Sequence, residues 1–155
     1  MSGMLQLKKY TFAYLAALCE ALSFGFFFLP VLYIPTIEGE RIRFFGHLIA
    51  FGGDVTFDIG GSLYSFSFSI NILALVLLMC LFLGMVASLL SKESLVNRIA
   101  AILLSTAGIV LMFFLPTHSG QVGLRFAYGA YLCMGLALAS TVANGLSFFW
   151  RRKKA

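Results

Sequence analysis

Cysteine is scarce in this sequence and never paired: Cys19, Cys80 and Cys133 stand far apart inside apolar runs, with no C-x-x-C spacing. That pattern argues against a disulfide framework, a zinc site and a dithiol redox centre, and makes each cysteine a small apolar packing residue. Histidine is equally thin. His47 and His118 lie far apart with no acidic pattern beside them, and nothing in the spacing of the many serines selects a Ser/His/Asp relay, so neither a metal site nor an enzyme is indicated. Asp54 and Asp58 share one polar strand face but lack a third acidic ligand at the spacing of a calcium loop. No cofactor is expected. Charged residues make up only 11% of the chain, and no linker, low-complexity tract, internal repeat or second domain interrupts it.

What fills the chain instead is hydrocarbon: 61% of its 155 residues are hydrophobic, more than a water-soluble globule of this size carries. A spanning helix needs about 20 mostly apolar residues, and four segments qualify, at about 10–34, 70–90, 95–115 and 124–150. The net charge of +5 sits at the ends of these segments rather than on a patch interleaved with exposed aromatics, so nucleic acid is not an expected partner. Lys8, Lys9, Lys92, Arg98, Arg151, Arg152, Lys153 and Lys154 fall on one side of a four-span chain, against Arg41, Arg43 and Arg125 on the other. The positive-inside rule then predicts a multi-pass protein of the plasma (cytoplasmic) membrane with both termini cytoplasmic. The first run is too long for a cleaved secretory signal and contains Glu20, while Ala16-Ala17-Leu18-Cys19 lacks the residue pattern of a lipoprotein site.

Between the first two spans the pattern changes. Pro30 and Pro35 end the first helix because proline cannot continue one without losing a backbone hydrogen bond. Residues 41–49 carry a weak strand pattern around Gly46. Asp54, Thr56 and Asp58 then alternate with Val55, Phe57 and Ile59, Gly60-Gly61 supplies a two-residue turn, and Ser62-Leu63-Tyr64-Ser65-Phe66-Ser67-Phe68-Ser69 returns. The expectation is an extracellular antiparallel sheet of three or four strands over about 36–69, one face wet and the other covered by helix ends or a partner. The turn Ser91-Lys92-Glu93-Ser94 forces spans two and three into an antiparallel hairpin.

Glu20 is the one ionisable residue well inside a span. It lies about 16 Å along a helix from Lys9, near the middle of a hydrocarbon core about 30 Å thick, where an ionised carboxylate costs several kcal/mol unless paired. Ser105, Thr106, Ser140 and Thr141 reach similar depth, with Asn144 a turn nearer the cytoplasm. They can hydrogen-bond the neutral acid as interhelical glue, or line a proton or ion path with it; contact with a partner subunit is a third option. Small residues recur every fourth position as Ala13, Ala17, Ala21 and Gly25, and as Gly135, Ala139, Ala143 and Ser147, with a shorter set in Cys80, Gly84 and Ser88. Such stripes let another backbone approach closely, within the chain or from a second membrane protein. Outside, Glu38, Glu40, Arg41 and Arg43 form a charged edge that discourages strand pairing between molecules, and Arg41, Arg43, Tyr64, Phe66 and Phe68 are the candidates for contact with a partner.

The order of parts resembles the claudin-like tetraspan arrangement in topology, without its outer-loop signature: the only tryptophan is Trp150 and no cysteine lies outside the predicted spans. Phe28-Leu29-Pro30, Phe44-Phe45-Gly46, Ser69-Ile70-Asn71-Ile72-Leu73 and Phe114-Leu115-Pro116 are similar to marks of small uncharacterised four-span proteins of the bacterial inner membrane. That resemblance implies a fold, a four-helix transmembrane bundle with a small β cap forming one domain over residues 1–155, and no activity. The function expected is a non-catalytic interaction or accessory protein that docks another membrane or envelope protein or forms a homo-oligomer, with membrane lipid around it. The alternative is a small oligomeric transporter or channel subunit built on Glu20.

Overall fold

The computed structural model describes residues 2–36, 39–91 and 94–152, and the side chains of residues 10–36, 39–91 and 94–147. Glu38, Lys92, Lys153 and Lys154, which the sequence places in the outer charged edge or among the cytoplasmic charges, lie outside the described residues.

In chain order the elements are α1 (Ser2–Phe26), β1 (Pro30–Pro35), β2 (Arg41–Phe45), α2 (Gly46–Phe51), β3 (Gly53–Ile59), β4 (Ser62–Phe68), α3 (Ile72–Leu90), α4 (Leu95–His118), β5 (Arg125–Phe126) and α5 (Tyr128–Arg152). The protein is mainly helical, with small antiparallel sheets. Ile72–Leu90, Leu95–His118 and Tyr128–Ser147 are long and apolar enough to cross a membrane, whereas α1 contributes the shorter apolar stretch Tyr10–Phe26. The four long helices pack in a ring, α1 and α4 each wedged between α3 and α5. Their outward faces carry large apolar side chains such as Val76, Met79, Phe82, Leu103, Val110, Leu138 and Val142.

Helix ends follow local chemistry. The Asn71 side chain accepts from the Ala74 amide at 3.2 Å to start α3, and its Nδ2 donates to the His118 carbonyl at 2.8 Å, tying that start to the end of α4. Ser94 caps α4 through the Val96 amide at 3.2 Å. Pro116 sits in the last turn of α4, and the Thr117 and Ser119 hydroxyls bond back to the carbonyls of Phe114 and Pro116.

Three expectations are corrected here. First, the opening helix stops at Phe26 rather than continuing to residue 34: Pro30 cannot sit in a helix interior, and Pro30–Pro35 become a strand with Val31 and Leu32 fully buried. Second, the cap is two sheets. One has the order β2-β1-β5, with the two-residue β5 recruited from the connection before the last helix; the other is the β3-β4 hairpin. Third, Gly46 does not lie within a strand, because Gly46–Phe51 form the short helix α2. The hairpin itself pairs in register from Gly53↔Phe68 to Ile59↔Ser62, and Gly60 and Gly61 both take positive φ, 58° and 82°, as the two-residue turn requires.

The two sheets cover each other's apolar face. Phe44 of β2, fully buried, meets Phe68, Phe66 and Phe57 of the hairpin at ring-centroid distances of 5.0, 5.1 and 6.0 Å, tilted or edge to face. Asp54, Thr56, Asp58, Ser65 and Ser67 point outward. Below this cluster the backbones approach closely: a Cβ on Gly46 would fall on the Phe27 carbonyl oxygen and within 2.9 Å of the Phe27 ring, and one on Gly129 would lie 2.6 Å from the Pro30 carbonyl.

Gly46→Ala is therefore expected to destabilise the protein by about 3 kcal/mol, the upper part of the overpacking range, in equilibrium unfolding from mild detergent. Gly25→Ala, whose Cβ would meet nothing within 4 Å, should stay within about 1 kcal/mol of the parent.

Candidate functional site

A spanning helix exposes its apolar side chains to lipid, so its polar residues must find partners inside the bundle. Glu20 on α1 does so. It is fully buried, and the Ser105 hydroxyl on α4 donates to Oε1 across the diagonal of the helix ring. Ser105 also lies 2.9 Å from the Ala101 carbonyl. A hydroxyl has one proton, so the Glu20 carboxyl and the Ala101 carbonyl compete for it. Ser140 of α5 is also fully buried, and Ser140 Oγ and Glu20 Oε2 both lack a hydrogen-bond partner among the described residues. Gly84 of α3 closes the fourth side: a Cβ there would stand 3.4 to 3.6 Å from the carboxyl atoms, so even this one added carbon would touch them.

Polar layers stack on either side. One turn toward the cap, the Ser23 hydroxyl donates to the Cys133 carbonyl at 2.8 Å and lies 3.1 Å from Cys133 Sγ, which itself lies 3.3 Å from the Ser23 carbonyl. One turn away from it, Asn144 Nδ2 donates to Ser88 Oγ at 3.0 Å, bridging α5 and α3 across the other diagonal, while Asn144 Oδ1 has no partner among the described residues. Farther on, Arg98 is buried and donates from Nη2 to the Ser91 carbonyl at 3.0 Å, binding the α3–α4 connection rather than standing free at its rim. Glu20, Ser23, Ser88, Ser91, Ser105, Ser140 and Asn144 are all completely sealed from solvent. Inside the bundle these polar groups are set among buried apolar side chains such as Ala16, Leu77, Leu81 and Ala101, and the outer faces are apolar.

The other depth-matched candidates do not join this core. Thr106 is exposed and bonds back to the Ile102 carbonyl at 2.8 Å, and Thr141 is half-buried and bonds to the Ala137 carbonyl at 3.0 Å. The small-residue stripes divide in the same way. Ala13, Ala17, Ala143 and Ser147 are buried and Ala21 is half-buried, whereas Gly25, Gly135 and Ala139 face outward. In the cap, Arg41, Arg43 and Tyr64 are exposed, but Phe66 is half-buried and Phe68 buried against Phe44. Arg41 stacks over the Tyr33 ring at 5.2 Å and Arg43 over the Tyr128 ring at 5.9 Å. Sequence reasoning passed over Ser23, Cys133 and Tyr33; the three-residue step from Glu20 to Ser23 was the available signal, since such residues share a helix face.

Chemically, these groups hold and orient. Among the described residues no three His, Cys, Asp or Glu side chains gather. His47 stacks on Phe28 at 6.3 Å, and His118 Nδ1 lies 3.0 Å from Thr117 Oγ1.

A double-mutant cycle of Glu20→Ala with Ser105→Ala is expected to show a coupling of about 1 kcal/mol, the scale of interhelical hydrogen bonds in membranes, when unfolding is followed in detergent. The cycle of Glu20→Ala with Thr106→Ala should show none. Comparison of the chain with protein-family models, curated proteins and solved structures finds no match.

Proposed function

We propose that this chain is a non-catalytic accessory protein of the plasma membrane that crosses the bilayer four times, keeps both termini in the cytoplasm and displays its paired sheets outside to dock an envelope partner or a second copy. The observation that carries the reading is the sealing of Glu20: the one carboxyl group at membrane depth among the described residues is spent on holding helices together, and the exposed side chains of Arg41, Arg43, Asp54, Asp58, Ser65 and Ser67 lie on the cap. The fourth crossing by α1 is supported by its outward Tyr14, Leu15, Leu18 and Leu22, each 44 to 57% exposed, which water would not favour side by side. The orientation rests on the excess of Lys and Arg at the ends opposite the cap.

Replacing residues 41–69 by a flexible linker is expected to abolish co-purification of specific partners, or self-association, from mild detergent while the bundle keeps its helix content and elution volume. Retention of every partner would reject docking through the cap.

A second reading, a small transporter or channel subunit, is favoured by one observation: Glu20 Oε2, Ser140 Oγ and Asn144 Oδ1 are buried polar atoms without partners among the described residues, each costing about 1–3 kcal/mol if left so. On the accessory reading, purified protein in liposomes carries no proton or cation flux and Glu20→Gln changes nothing. A parent flux that Glu20→Gln removes would establish the transport reading in its place.

A further inference from the structure

We propose that the face shared by α1, α5 and the β2-β1-β5 sheet binds one anionic phospholipid, its phosphate held by Arg41 and Arg43 and one acyl chain lying along α5. The argument begins at the sheet. Tyr33 on the central strand stands in register with Arg43 on one side and Arg125 on the other. Strands lie about 4.8 Å apart, so the backbone positions of Arg43 and Arg125 flank that of Tyr33, and Arg41 stands two residues along from Arg43. Glu40 precedes β2, but none of the three arginines forms an ion pair with a carboxylate among the described residues.

Tyr33, Arg41, Arg43, Phe126, Ala127, Tyr128 and Tyr131 enclose a cleft of about 320 Å³, within the size range of small-ligand sites. The Tyr33 and Tyr128 rings support the two guanidinium groups from their faces. A guanidinium held by its face keeps its in-plane N–H donors available, and their fork matches the oxygens of a phosphate. The cleft also sits at the start of α5, where the helix dipole is positive. Exposed Phe113, Phe114, Tyr128 and Tyr131 surround that level, as aromatic side chains do where a membrane meets water.

What makes the ligand a lipid rather than a free anion is a second, apolar groove farther along the same helix. Gly135 lies one turn beyond Tyr131 on the same face, and from there Gly135, Leu138, Ala139, Val142 and Leu146 with Leu15 of α1 line an open apolar groove of about 360 Å³. The groove passes the level of Ser140 and Glu20, so its part from Gly135 to Ala139 lies between that level and the cleft; from Tyr131 to Val142 the helix rises about 16 Å at 1.5 Å per residue, close to half of a hydrocarbon core about 30 Å thick. A charged cleft at the helix start and an apolar groove one turn farther along thus offer places for a phosphate and for its acyl chain. This inference rests on the four-crossing part of the proposed function but not on the docking of a protein.

The test uses the full chain in detergent, titrated with phosphatidylglycerol or with phosphatidylcholine and followed by native mass spectrometry. The parent is expected to retain phosphatidylglycerol about ten-fold more tightly than phosphatidylcholine, and R41Q/R43Q should remove that preference. Gly135→Leu should weaken both lipids without unfolding the bundle, since a Cβ there meets nothing within 4 Å. If R41Q/R43Q does not fold, R41K/R43K keeps the charge but loses the fork, and a several-fold weaker retention of both lipids with the preference kept is expected, since both carry the phosphate; unchanged retention would overturn the proposal. Equal retention of the two lipids by the parent, unchanged binding in Gly135→Leu, or displacement of the lipid by inorganic phosphate at equal concentration would each overturn the proposal. A doubling of mass that Gly135→Leu removes would assign the groove to a second copy and overturn it as well. Retention of every protein partner when residues 41–69 are replaced, with lipid binding by the parent intact, would count against the docking reading alone.

Discussion

The arrangement of the helices depends on one constraint: a polar group carried into a hydrocarbon layer must be satisfied by another part of the same protein. Glu20 reaches Ser105 across one diagonal of the ring, and Asn144 reaches Ser88 across the other. Neither bridge is possible unless the centre is narrow, and Gly84, Ala16 and Ala101, all buried or lining the carboxyl group, make it so. In lipid no hydrophobic force separates one helix face from another. Hydrogen bonds of this kind then choose which faces point inward, while the leucines and phenylalanines on the outer faces accept lipid without discriminating among neighbours.

The sheets obey a different rule, set by whole faces rather than by single polar groups. Each sheet has an apolar face that it cannot leave bare, and a two-stranded hairpin alone is marginal. Phe44 solves both problems by standing between the sheets, with Phe57, Phe66 and Phe68 around it. Further hydrogen bonds fasten the sheets to the connection between α4 and α5: Ala127 N–H donates to the Val31 carbonyl at 2.8 Å, and the Gln121 side chain donates to the Ser67 carbonyl at 3.0 Å. The outer residues of the hairpin are then free to be serine, threonine and aspartate, while the tyrosines and arginines collect on the other sheet near the helix ends.

Some of this was legible beforehand. The Gly60-Gly61 hairpin was readable because alternation and turn chemistry are local, and so were the apolar cores of α3, α4 and α5, since length and hydropathy suffice. The pairing of Glu20 with Ser105 was suggested by depth alone, but depth did not distinguish Ser105 from Thr106. Adjacent residues on a helix point about 100° apart, and only the packing of α4 against its neighbours selects which one faces inward. The strand at Pro30–Pro35 was missed because its partners are Arg41–Phe45 and, much farther along the chain, Arg125–Phe126.

The sequence by itself determined that long stretches of this protein seek hydrocarbon, that a β-patterned segment interrupts them and that a single carboxyl group is carried to their middle, because composition and periodicity act over a few neighbouring residues. Only the tertiary structure decided which hydroxyl meets that carboxyl group, that two sheets share one phenylalanine cluster, and that arginines from β2 face tyrosines from β1 and α5. Those are contacts between residues remote in the chain, and their geometry is fixed by how helices rotate and strands register against one another, which no local pattern encodes.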